Sequence, residues 1–150
     1  MVQNVSIEVD LESLEKENHI IGNIYFSIDY HRFFPDHRWS DFVVIILSWW
    51  IKSLKGLIIS DAGKTFEFDF MDGTPIVLGK KIETNIVEMT FFFSAERRKE
   101  ITVVCNISEL RESLLSVSNK VLRIAKRNNW IDEELEELKD LVLSLERYPF

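Results

Sequence analysis

Three histidines, one cysteine and a strong excess of carboxylates are the side chains of this 150-residue chain that could do chemistry. The densest mixed cluster is Asp29, His31, Asp36 and His37, with His19 apart from it. Imidazoles beside carboxylates are what a general acid/base pair or a zinc centre needs. The spacing here matches none of the short zinc or metalloprotease patterns, and loop and cap duty is the simpler expectation. Cys105 shares a strand face with Ile101 and Val103, which predicts a buried structural thiol, whereas a reactive thiolate wants an exposed, electropositive place. The five glycines are dispersed, so there is no phosphate-binding loop, and no serine lies in a nucleophile-elbow pattern. These residues predict no enzyme, no metal and no cofactor.

Charge offers more. The net charge is −7, from 18 basic and 25 acidic residues, which argues against nucleic acid as the primary partner. The charge is also uneven. Residues 1–18 carry five acids and one base, residues 131–150 seven acids and two bases, while residues 107–130 carry five bases and two acids. In the last stretch Leu135, Leu138, Val142 and Leu145 form an apolar helix side, and Glu133, Glu136, Glu137 and Asp140 point the other way. Such a face can be simply solvated, or it can be a docking surface for a basic protein. These four carboxylates are therefore the candidate partner-binding residues. Trp49 and Trp50 read as core; Trp39 and Trp130 lie at helix boundaries, where either could anchor a partner.

The element on which the rest is organised is the run from Phe33 to Ile59. From Asp41 onward the polar residues Asp41, Ser48, Lys52 and Lys55 fall on one narrow stripe, which predicts a helix covered on most of its circumference. Ser40 is expected as its N-cap, with Gly56 near the exit. Before it, Val5, Ile7, Val9 and Leu11 alternate with polar residues, as do Ile20, Gly22, Ile24, Phe26 and Ile28, predicting a hairpin. After it come Lys64 to Phe70, an Asp72-Gly73 turn with a short return strand from Pro75 to Leu78, then strands at Val87 to Phe93 and Ile101 to Ile107. Glu96-Arg97-Arg98-Lys99 is the expected turn between the last two. From Ser108 the period becomes 3.6, with Leu110, Leu114, Val117, Val121 and Ile124 on one side, and Asp132 can cap a final antiparallel helix. The expected fold is a single α+β domain over residues 1–150. It has a mostly antiparallel sheet of about six strands and three helices on one face, in the order ββαββββαα.

The lone cysteine fits a reducing cytoplasm. The start MVQNVSIEVD carries no signal-peptide pattern, and the Phe42 to Ile51 run is too short for a membrane span. Oligomeric state stays open between monomer and homodimer.

Tyr25 and Phe26, Phe34-Pro35, Trp39-Ser40-Asp41-Phe42, Leu47-Ser48-Trp49-Trp50, then Phe68, Phe70 and Asp72, resemble a group of small bacterial immunity proteins of polymorphic and contact-dependent toxin systems. The resemblance covers most of the chain and rests chiefly on the entry to the central helix and the double tryptophan. It implies a cytoplasmic, non-catalytic protein that binds and neutralises a cognate toxin domain, a basic nuclease being one option. It carries over no catalytic residue. The competing expectation is a small hydrolase or ligand-binding protein using the Asp29 to His37 loop.

Overall fold

In the computed structural model, which describes residues 2–93 and 99–148, period-two segments become strands and period-3.6 segments become helices. The chain runs β1 (Val5–Val9), a 3-10 turn (Leu11–Ser13), β2 (Glu15–Lys16), β3 (Ile20–Ile28), β4 (Arg32–Phe34) and β5 (Ser40–Phe42). It continues through α1 (Val43–Ile59), β6 (Thr65–Glu67), β7 (Ile76–Glu83), β8 (Ile86–Phe92), β9 (Lys99–Asn106), α2 (Ile107–Arg127) and α3 (Glu133–Glu146). The class is α+β, as expected. The strands, however, divide between two antiparallel sheets, one of five strands and one of four.

β3 organises the first sheet: β1, β2, β4 and β5 all pair with it, antiparallel. Its inward residues Ile20, Gly22, Ile24, Phe26 and Ile28 are buried, following the alternation. At Gly22 a Cβ would come within 2.9 Å of Leu14 Cδ2 and 3.0 Å of Ser13 Oγ, so a larger residue would have to displace those side chains. The second sheet is the expected meander, β6-β7-β8-β9, with Val77, Val87, Met89, Phe91, Val103 and Cys105 inward. Its return strand β7 is longer than Pro75 to Leu78, reaching Glu83, while the strand before it is shorter. Beyond Glu67, Phe68 N–H still donates to the Val77 carbonyl at 2.8 Å, and Phe68 and Phe70 bury their rings. Of the expected Glu96–Lys99 turn, Glu96, Arg97 and Arg98 lie outside the described residues, and Lys99 begins β9. The two sheets meet where Gln3 N–H donates to the Val104 carbonyl at 2.7 Å.

α1 is covered as its composition requires, touching β3, β5, β6, β7, α2 and α3. Its start differs from the expected Ser40 cap. Ser40, Asp41 and Phe42 pair with Asn23, Gly22 and Ile21 of β3, so this backbone is extended, and the helix begins at Val43 behind Phe42 without a side-chain cap. Asp41 instead ties the entry together, accepting from Phe42 N–H at 2.8 Å and from Trp39 Nε1 at 2.9 Å. Ser48 is also off the expected wet stripe; it is buried, leaving Lys52 and Lys55 as that edge. Gly56 lies inside the helix, its Cα facing the Phe66 ring so closely that a Cβ would fall 2.6 Å from Cε1.

The end of α1 has no basic residue in its last turn. Lys81, reaching in from β7 and buried, supplies the missing cation: its Nζ donates to the carbonyls of Ile58 and Ser60, each at 2.8 Å. Those carbonyls sit at the negative end of the helix dipole, and the ammonium both satisfies and neutralises them.

One buried cluster joins residues of both sheets and all three helices. At its centre the Phe26 and Trp50 rings lie 4.7 Å apart, with Phe70 edge-on to Trp50 at 5.3 Å and Phe91 edge-on to Phe26 at 5.4 Å. Trp39 and Phe34 extend the cluster toward Phe70. The aromatic residues behind the resemblance are thus largely core residues. Among the described residues, no helix is long and apolar enough to cross a membrane.

Candidate partner-binding surface

α3 is built by its own sequence and held by its neighbours. Asp132 caps it, Oδ1 accepting from Leu135 N–H at 2.9 Å. Glu133, Glu134 and Glu136 occupy the first turn, where the dipole favours negative charge. Leu135, Leu138, Val142 and Leu145 are buried against the core as predicted. That burial turns Glu133, Glu136, Glu137 and Asp140 outward, and all four are exposed.

The helix is fastened at several points. Lys52 of α1 meets Glu137 at 2.7 Å, Lys55 donates to Ser144 Oγ at 2.7 Å, and the Lys55 ammonium stands 4.8 Å from the centre of the Tyr148 ring. Arg111 of α2 donates to the carbonyls of Leu145 at 2.8 Å and of Glu146 and Tyr148 at 3.1 Å, closing the C-terminal end. At the other end His19 Nδ1 lies 2.7 Å from Glu134 Oε1, with its ring 5.1 Å from that of Phe42. Of the four predicted carboxylates, Glu137 is therefore already paired, across an exposed contact worth about 0.2–1 kcal/mol. Glu133, Glu136 and Asp140 have no such partner among the described residues.

Beside this face lies a feature the sequence reading did not single out, a groove of about 530 Å³ between α2 and α3. Leu122, Trp130, Ile131 and Leu143 supply its apolar lining, and Lys126, Glu136 and Lys139 stand among its polar residues. Ile131 is 82% exposed and Leu143 44%. A signal was available: Trp130 and Ile131 stand together in a short connection between helices, and Leu143 falls off the buried stripe of α3. Trp130, expected as a partly exposed boundary residue, lines this groove.

The polar groups of the Asp29 to His37 cluster bond to their own turns and to the segment before β1. Asp29 and Tyr30 have positive φ, 51° and 67°, and the Asp29 carboxylate accepts from Gln3 Nε2 at 2.9 Å and Asn4 N–H at 3.1 Å. These hydrogen bonds, the Gln3 one first, hold its carboxyl below the usual range. His31 Nδ1 lies 2.7 Å from the Asp29 carbonyl; a carbonyl only accepts, so this nitrogen carries the proton. His37 Nδ1 is 3.3 Å from Asp36 Oδ1, which also accepts from Arg38 N–H at 2.9 Å. Among the described residues, no group of three or more His, Cys, Asp or Glu could hold a metal ion.

Cys105 is buried, and desolvation, with Glu109 nearby, pushes its thiol up to about 12. It is a packing residue, not a thiolate. Trp50 is fully buried and donates Nε1–H to the Asp69 carbonyl at 2.8 Å, while Trp49 is half-buried. Trp39 is likewise half-buried and engaged with Asp41, leaving it a poor anchor for a partner. No protein-family model matches the chain, and neither a curated protein nor a solved structure matches it.

Proposed function

We propose that the chain is a non-catalytic immunity protein that binds a cognate bacterial toxin domain through the acidic outer face of α3 and so keeps the toxin inactive. One observation carries this reading: Glu133, Glu136 and Asp140 stand exposed and unpaired on a helix that α1, α2 and the His19 contact hold in place. A helix already fixed in place loses little backbone freedom on binding, and the field of its carboxylates steers a basic partner into register. A basic nuclease is the toxin class such a surface suits, since the carboxylates compete for the positive groups that otherwise hold phosphate. The cytoplasm is where such an inhibitor meets its toxin.

The test is co-purification with the C-terminal domain of the protein encoded immediately upstream, followed by calorimetric titration. A one-to-one complex of nanomolar affinity, about −12 kcal/mol, is expected. Replacing Glu133, Glu136, Glu137 and Asp140 together by Lys should abolish it at low salt while circular dichroism stays native. Undiminished affinity of that variant would remove this face from consideration. The competing reading, a small hydrolase or ligand-binding protein at the Asp29 to His37 loop, would be favoured instead by a hydrolytic or binding activity that alanine at His31 and His37 removes.

A further inference from the structure

The α2–α3 groove has a property that a merely solvated crevice need not have: Lys126 on its α2 wall is matched by Glu136 on its α3 wall, while Lys139 and Glu146 further along α3 offset one another. Lys126 projects from the end of α2 and Glu136 from the beginning of α3, both close to the short connection that carries Trp130 and Ile131. The helices are antiparallel neighbours, so these two opposite charges stand at about the same level on opposite walls. Between and beyond them lie Leu122 and Leu143, with Ile131 largely exposed at the head.

A two-fold axis running along the groove, parallel to the helices, would lay α2 of one copy over α3 of the other. Level along the groove is preserved by that operation. Lys126 of each copy would then face Glu136 of the other, and the exposed Ile131 side chains would meet across the axis. Self-complementarity of this kind is what an isologous interface demands. It also follows the larger charge split of the chain, where residues 107–130 are net basic and residues 131–150 net acidic.

We infer that the groove between α2 and α3 is a homodimer interface, closed by a second copy of this chain into a four-helix layer with Lys126 opposite Glu136. The 14 residues of α3 make a face about 21 Å long, and two helices side by side are about 20 Å wide. That footprint, about 420 Å² per copy, is below the range of stable complexes and in that of weak, transient ones, so the dimer should be concentration-dependent, with a dissociation constant no tighter than on the order of micromolar. Glu133, Glu137 and Asp140 lie away from the groove lining, so a dimer leaves most of the acidic face open.

Light scattering on the intact chain should show a mass rising with concentration toward twice 17.7 kDa. Ile131→Asp, at a site too exposed to affect folding, should weaken association at least about thirtyfold, because it puts two carboxylates face to face where the apolar side chains would meet. The decisive arm uses Lys126→Glu and Glu136→Lys as separate proteins. Each alone places like charges opposite one another and should remain monomeric. Mixed in equal amounts they restore opposite charges at both contacts and should form a heterodimer. A wild-type monomer at every concentration up to about 1 mM, far above the dissociation constant expected here, would overturn the inference. So would a dimer indifferent to Ile131→Asp, or a mixture no more associated than its components. Each of those results would point the groove toward a small apolar ligand or a helix of another protein.

Discussion

α1 and α3 both end in carbonyls held by a cation from another element, Lys81 for α1 and Arg111 for α3, yet they put their polar residues to opposite uses. Around α1 the interior polar groups are consumed by the fold: Ser48 is buried, Trp50 donates to the Asp69 carbonyl, and Lys81 is buried with two carbonyl partners. On α3 the polar groups divide. His19, Lys52, Lys55 and Arg111 fasten the helix, and Glu133, Glu136 and Asp140 are left over. A polar group that ends a helix inside a core has one available partner and one geometry. A carboxylate on an outer helix face keeps its hydration and, in the first turn, gains a little from the helix dipole, so it stays available to a partner. Partner binding is therefore sought on α3 rather than α1.

The contrast can be broken by substitution. Lys81→Met should have the largest effect, destabilising the protein by about 3 kcal/mol, because it leaves the part-buried Ile58 and Ser60 carbonyls without a donor at the end of α1. Urea denaturation would measure it, and a loss below about 1 kcal/mol would mean the end of α1 is not so committed. Arg111→Ala should cost about 2 kcal/mol by freeing three carbonyls at a half-exposed site, with amide exchange accelerated first in the last turn of α3. Asp132→Ala removes the N-cap of α3 and should cost about 1 kcal/mol. On the outer face, Glu136→Gln combined with Asp140→Asn should change stability by less than about 0.5 kcal/mol. A larger loss would show that these acids serve the fold after all.

Asp29 adds a pH handle. Its folded carboxyl is lowered from 3.8 by the Gln3 and Asn4 hydrogen bonds, so it contributes stability above that unfolded value and loses it as pH falls through the folded one. Asp29→Asn should therefore be less stable than the wild type at neutral pH, with the gap closing below pH 3.8. A gap independent of pH would place the effect in the backbone turn and not in the charge. As a surface group, Asp29 should give a smaller change than the caps.

Much of this architecture was legible in the chain. Alternation at Val5, Ile7 and Val9 and at Ile20 to Ile28 marked β1 and β3, and the spacing of Leu135, Leu138, Val142 and Leu145 marked both α3 and its buried side. The acidic face opposite them followed from the same period. Less legible was the entry to α1, where Ser40-Asp41 has the composition of a helix cap but pairs with β3, because cross-strand hydrogen bonds to Asn23 and Gly22 outweigh a local preference. Phe68 and Phe70 keep the inward side of the alternation beyond the end of β6: Phe68 N–H still donates to the Val77 carbonyl at 2.8 Å, and the Phe70 ring packs on Phe26 and Trp50.

What the sequence determined by itself is what repeats locally: the helix and strand periods, the side each element must bury, the Asp132 cap and the excess of acid near the C-terminus. Tertiary structure alone decided which distant groups meet. It divided the strands into two sheets around β3 and the β6–β9 meander, carried Lys81 to the end of α1 and Arg111 to the end of α3, and paired Lys52 with Glu137, leaving Glu133, Glu136 and Asp140 free. Periodicity is a property of neighbours along the chain, whereas a carbonyl at a helix end accepts whichever donor the packing delivers. No spacing in the sequence encodes that choice.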